Sequence, residues 1–137
     1  MITTVPSSGD RSDQHPLVTA IHRVDRLSRQ YETLLQRGSG TIDHRTASDE
    51  GYRPTQALDG ERILLVDDTY TSGSRAQSAA SALSIAGGDV VAIVAIGRVI
   101  APHFSETVAE YWKQQRRVPF TFDTCCLETV QEDEERW

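Results

Sequence analysis

The stretch Arg62-Ile63-Leu64-Leu65-Val66-Asp67-Asp68-Thr69-Tyr70-Thr71-Ser72-Gly73-Ser74 decides the class of fold. Its first half is a near-continuous apolar run, the pattern of a parallel strand buried on both faces. Two carboxylates stand at the end of that strand, and a polar turn follows from Thr69 to Ser74. A helix comes next on a small-residue stripe of Ala76, Ala79, Ala80, Leu83 and Ala86, stopped by Gly87-Gly88. Asp89 then leads into Val90-Val91-Ala92-Ile93-Val94-Ala95-Ile96, which predicts a second buried strand. Strand, helix and strand in this order predict an α/β fold with a mainly parallel sheet and flanking helices.

Outward from this core the pattern is weaker. On the N-terminal side, Ile2 to Val5 is a β-branched run stopped by Pro6, which predicts a brief strand. Ser7 to Asp13 is a polar loop, and His15-Pro16 opens a helix. Leu17, Val18, Ile21, Val24, Leu27, Tyr31, Leu34 and Leu35 recur at three- and four-residue steps. They predict one long helix, ended by Gly38-Ser39-Gly40. Thr41 to Gly60 has no period and reads as a long loop with room for one short strand near Thr41–His44. Loops of that length are usually functional or mobile. On the C-terminal side, Ser105 caps a helix carrying Val108, Ala109 and Trp112, with Lys113, Arg116 and Arg117 near its negative end. Val118 to Phe122 predicts a final short strand. The division expected is one domain over 1–128 and an acidic tail over 129–137.

Composition narrows the class. The chain has 137 residues, 38% hydrophobic and 25% charged, as expected of one soluble domain. No apolar run approaches the ~18 residues of a membrane span. Met1 to Pro16 lacks the basic head and apolar stretch of a secretory signal. The net charge of −6 argues against a generic nucleic-acid binder, which carries a basic footprint. Cys125 and Cys126 are adjacent and form no spaced disulfide framework, so a reducing, cytoplasmic setting is expected. His15, His22, His44 and His103 show no metal-ligand spacing.

The chemistry concentrates at the end of the first strong strand. Ligands of open α/β sheets bind outside the C-terminal ends of strands. The free N–H groups at a helix start attract an anion, Thr71, Ser72 and Ser74 add hydroxyls, and Gly73 lets the backbone approach closely. Asp67 and Asp68 repel each other unless a ligand or cation compensates. A phosphate cradle beside two acids fits a sugar phosphate. A receiver domain, which opens with the same strand and acid pair, needs an Asp about 40–45 residues on and a Lys beyond it. Here the next acids of that type are Asp89 and Asp123, and the sole Lys, Lys113, precedes the latter. No Gly-x-x-x-x-Gly-Lys loop exists.

Ile63 to Val66, Asp67-Asp68 and Thr69 to Gly73 together closely resemble the phosphoribosyl-pyrophosphate signature of type I phosphoribosyltransferases. Residues 1–100 look most like the ComF-type, competence-associated branch of that superfamily. The resemblance implies a Rossmann-like open sheet. It implies that Asp67 and Asp68 bind the ribose 2′ and 3′ hydroxyls, with Asp68 also catalytic. Thr69, Tyr70, Thr71, Ser72, Gly73 and Ser74 would hold the 5′-phosphate. Ser7, Ser8 and Arg11 would meet pyrophosphate. Gly38 to Gly60 would form a flexible catalytic hood, with Arg45 and Arg53 as oxyanion-stabilising cations and Arg45 counted as catalytic. Mg²⁺ would ride on the pyrophosphate, reached partly through water and with no direct protein ligand. The expected ligand is phosphoribosyl pyrophosphate or a ribose 5-phosphate-like molecule, without a membrane partner, and a homodimer is compatible with the class. Two functions stay open. One is transfer of the phosphoribosyl group to a nitrogen nucleophile. The other is a non-catalytic ligand-binding or partner-docking module of the same fold, tied to DNA uptake or nucleotide sensing.

Overall fold

The computed structural model describes residues 1–7, 15–43, 46–117, 119, 121 and 123. The chain divides into two units, Met1–Val99 and Ile100–Trp137. The first unit runs β1 (Ile2–Thr4), α1 (Pro16–His22), α2 (Asp25–Ser28), β2 (Leu35–Arg37), β3 (Tyr52–Pro54), β4 (Arg62–Tyr70), α3 (Ser74–Ile85) and β5 (Asp89–Arg98). β1, β4 and β5 form one parallel sheet in the order β1-β4-β5, and β2 and β3 pair antiparallel in a small second sheet.

The apolar run of residues 63–66 makes β4 the central strand because both of its faces are covered. Side chains alternate across a strand, so Ile63 and Leu65 point one way and Leu64 and Val66 the other. Ile63 and Leu65 are fully buried in a cluster with Ala79, Ala82 and Leu83 of α3 and with Leu34, Leu35, Tyr52 and Leu58. Val66 packs with Ile2 and Ile21, flanked by Leu17, Tyr31 and Leu64. The alanines of α3 bring the helix close to the sheet at little side-chain entropy cost. Its end comes where the glycines predict it. Gly87 adopts φ +100°, and the N–H groups of Gly87 and Gly88 donate to Ser84 and Leu83 carbonyls at 3.0 Å each.

Three expectations are corrected. The long helix from Pro16 to Leu35 does not form. α1 ends at His22, α2 is a single short turn, and the chain is extended by Tyr31. Ile2 N–H donates to Gln30 O at 2.8 Å and Glu32 N–H to Ile2 O at 2.9 Å, so this segment lines the outer edge of β1. Fully burying a Leu is worth about 1.5–3 kcal/mol, whereas helix propensities differ by tenths of a kcal/mol per residue. The extended path buries both Leu34 and Leu35 and leaves Val24 and Leu27 exposed, so burial outweighs periodicity here.

The second correction concerns β5. Val90 and Ile93 pack against the α3 side of the core. Val91, Val94 and Ile96 are 44%, 42% and 68% exposed, so the strand is not buried as the apolar run predicts. β5 is the edge of the sheet among the described residues, and a register shift opposite Ile63 and Leu64 gives it a bulge at Val91.

The expected strand near Thr41–His44 is also misplaced. Thr41 to Asp43 are irregular, His44 lies outside the described residues, and the strand is β3, which pairs Tyr52 with Arg37.

In the second unit a 3-10 turn at Pro102–Phe104 precedes α4 (Glu106–Gln115). Ser105 caps α4 as expected, its Oγ accepting from Val108 N–H at 3.2 Å. Val118, Phe120, Phe122, Cys125, Cys126 and the 129–137 tail lie outside the described residues. Among the described residues no helix is long and apolar enough to cross a membrane.

Candidate functional site

β4 carries Asp67 and Asp68 to the C-terminal end of the sheet, where they line a cavity of about 460 Å³ with Thr69, Thr71, Ser72, Gly73, Ser74 and Arg75. Ile42 and Asp43 close it from the β2–β3 excursion. The strand's alternation separates the two acids. Asp67 follows Ile63 and Leu65 onto the α3 side and is buried. Asp68 turns to the α1 side, with its side chain about half exposed at 54%. Burial pushes the Asp67 carboxyl above the ordinary carboxylate range, and the neighbouring charge of Asp68 pushes it further. Backbone N–H groups of Thr69 and Asp68 donate to it, and with the Arg75 charge they act in the opposite direction.

The loop after β4 is shaped by one glycine. Gly73 takes φ +86° at the N-cap of α3, a left-handed angle that L side chains rarely adopt. A Cβ there would run into the hydroxyl and ring of Tyr70. Tyr70 is therefore the floor under the loop. It is still part of β4 and is not among the described lining residues, unlike the other five members of the expected 5′-phosphate loop. Ser72 Oγ and Ser74 Oγ lie 3.2 Å apart at the mouth of α3. Ser74 and Arg75 of the first turn of this 12-residue helix line the cavity, which places a helix start beside it, a setting that favours an anion.

The Gly38–Gly60 segment is a hairpin excursion, anchored at several points. Gly38 N–H donates to Gly51 O at 3.0 Å and Gly40 N–H to Glu50 O at 2.9 Å, prolonging the β2–β3 pairing. Its tip is tied to α3. Ser78, fully buried, donates from Oγ to Ser74 O at 2.7 Å and accepts from Ser48 N–H at 2.9 Å. Ser81 Oγ donates to Asp49 at 2.6 Å. These ties connect the excursion that supplies Ile42 and Asp43 to the helix that opens the phosphate cradle. Ser78→Ala removes the acceptor for Ser48 N–H. An unsatisfied buried donor costs about 1–3 kcal/mol, so the variant is expected to unfold at lower denaturant with an unchanged slope. Hydrogen exchange at the Ser48 amide should accelerate. Unchanged protection there would show that the tie does not hold the excursion.

The remaining expected residues are not all brought together. Ser7 is described and does not line the cavity, while Ser8, Arg11 and Arg45 lie outside the described residues. Arg53, on β3, reaches Ser39 Oγ at 3.3 Å and does not line the cavity. Arg75, Ile42 and Asp43 were missed by sequence reasoning. Arg75 had a signal, since a cation at the second position of a helix after a hydroxyl loop stands beside any anion held there. Ile42 and Asp43 had none, because their placement depends on the hairpin. Among the described residues no three His, Cys, Asp or Glu side chains converge on a common point that could hold a metal. No family model, curated protein or solved structure matches the chain.

Proposed function

We propose that this chain is a phosphoribosyltransferase-like protein that binds phosphoribosyl pyrophosphate with Mg²⁺. One observation carries the proposal. A glycine-shaped, hydroxyl-rich turn at a helix start shares a single cavity with two carboxylates at a strand end. In this reading the N–H groups of α3 and the hydroxyls of Thr71, Ser72 and Ser74 receive the 5′-phosphate, and Arg75 adds a charge-assisted donor. Asp67 and Asp68 accept from the ribose hydroxyls. Asp67, Asp68 and the Thr69 hydroxyl would hold Mg²⁺ through water, and the ion would supply positive charge to offset that of the pyrophosphate.

The reaction this arrangement supports is displacement of pyrophosphate from ribose C1 by a nitrogen nucleophile. Charge stabilisation and positioning would supply the rate, without a covalent enzyme intermediate. A second reading, a ligand-binding module of the same fold linked to DNA uptake or nucleotide sensing, is favoured by one feature. Ile42 is the sole apolar side chain among the described lining residues, so they offer no aromatic face on which a base could stack.

Calorimetry with phosphoribosyl pyrophosphate and Mg²⁺ tests the shared part, with saturable binding at one site expected. No heat with either phosphoribosyl pyrophosphate or ribose 5-phosphate sinks it. Pyrophosphate release across a panel of nucleobases then separates transfer from binding alone.

A further inference from the structure

His15 stands behind the acid pair. It occupies the N-cap of α1, where its Nδ1 accepts a hydrogen bond from Leu17 N–H at 3.2 Å. A ring nitrogen that accepts carries no proton, so the neutral imidazole holds its proton on Nε2. Nε2 lies 3.4 Å from Asp68 Oδ2. The cap thus fixes the tautomer and turns the Nε2 edge of the ring to Asp68, across a gap longer than the roughly 2.7–3.2 Å of a formed N–H···O bond. The two acids are held by different means. Asp67 receives the backbone N–H groups of Asp68 and Thr69, the next two residues of β4, while Asp68 meets the side chain that caps α1.

We infer that His15 is a positioning residue for the acid pair: as the Nε2–H tautomer it holds Asp68 Oδ2 on the α1 side and leaves Oδ1 to meet a ribose hydroxyl. This rests on the sugar-phosphate reading of the cavity. A carboxylate on a half-exposed strand end otherwise rotates freely about its last two bonds, and freezing it costs entropy on binding. The imidazole is mostly shielded, with 18% of its side chain exposed, so its contact is held by packing as well as by the cap. His15 is the N-cap of α1, so the same residue links the start of that helix to the ribose end of the cavity.

The variant that tests this is His15→Asn. Asparagine is a good N-cap and keeps an acceptor for Leu17 N–H, but it is too short to reach Asp68. Titrations use ribose 5-phosphate and, separately, inorganic phosphate. His15→Asn is expected to weaken ribose 5-phosphate roughly three- to tenfold, the range of one ordinary hydrogen bond, and to leave inorganic phosphate unchanged. Added to Asp68→Asn it should cause no further loss, because the two residues act through one contact. Nitrogen-15 spectra of the parent should show the Nε2–H tautomer of His15, with the Nε2 signal moving in Asp68→Asn. A His15→Asn protein that binds ribose 5-phosphate as the parent does overturns the role of His15 alone, as does an Nδ1–H tautomer. Equal weakening of both ligands assigns His15 to the fold and overturns the role too. A parent chain that binds neither ribose 5-phosphate nor phosphoribosyl pyrophosphate overturns the sugar-phosphate reading and takes this role with it.

Discussion

Gly73→Val is expected to abolish binding of ribose 5-phosphate and of phosphoribosyl pyrophosphate alike and to lower the melting temperature by at least about 10 °C. Holding an L residue at a left-handed angle costs about 1–2 kcal/mol. Forcing a side chain into occupied space costs about 1–3 kcal/mol more. At about 4–8 °C per kcal/mol for a domain near 100 residues, the two together account for the shift. The space is occupied by Tyr70, whose hydroxyl and ring sit where the new Cβ would go. The loop must therefore move, and the N–H groups it aligns at the start of α3 move with it. Both ligands share the 5′-phosphate, so neither should escape. Pairing Gly73→Ala with Tyr70→Ala removes the overlap and keeps the φ penalty, and it should recover part of the melting temperature. A folded Gly73→Val protein, checked by circular dichroism, that binds ribose 5-phosphate as the parent does would show that this loop is not the phosphate site.

Asp67→Asn is expected to raise stability at neutral pH while weakening sugar-phosphate binding at least tenfold. Burial and the neighbouring Asp68 raise the folded-state pKa of Asp67 above its unfolded value of 3.8. The native state therefore binds more protons than the unfolded state between those two values. Stability falls as pH rises through that window, and the deficit persists above it. Asparagine keeps an oxygen for the backbone N–H groups and removes the charge, so the deficit should vanish. The same charge is what a ribose hydroxyl would donate to, and hydrogen bonds to ionised acceptors are worth about 1.5–3 kcal/mol. Thermal melts between pH 4 and pH 8 and a ribose 5-phosphate titration check the two halves. Asp67→Asn that is less stable than the parent at pH 7, or that binds as tightly, would remove Asp67 from this role. Stability and binding thus pull in opposite directions at one residue, as is common where a site stores unfavourable charge.

The β4–α3–β5 unit was legible because each of its signals is local. An apolar run, two acids, a hydroxyl turn, a small-residue stripe and a double glycine follow in chain order, and α3 runs from Ser74 to Ile85 where they place it. The segment from Val24 to Leu35 was illegible for a physical reason. Its three- and four-residue spacing suits a helix, but the backbone of Gln30 and Glu32 finds partners on Ile2, far away in sequence. The exposure of β5 was hidden because an apolar run says how well a strand tolerates burial and nothing about strand order. At the site, the residues on one loop were readable. Those delivered from elsewhere, Ile42 and Asp43 from the hairpin and His15 from α1, were not.

The order β1-β4-β5 has a consequence for how the first unit assembles. β4 and β5 are joined by one helix and can meet early, since little chain entropy is lost in closing so short a connection. β1 pairs with β4 only after α1, α2 and the whole β2–β3 excursion have been made. β1 precedes β4 in the chain yet is thus among the last strands of the unit to be closed, and until then its apolar side chains have no sheet to join. Non-local parallel pairings of this kind slow folding and lengthen the life of partly folded chains. Formation of the helix start that cradles the anion can therefore precede completion of the sheet, whereas the contact from α1 to Asp68 must await it.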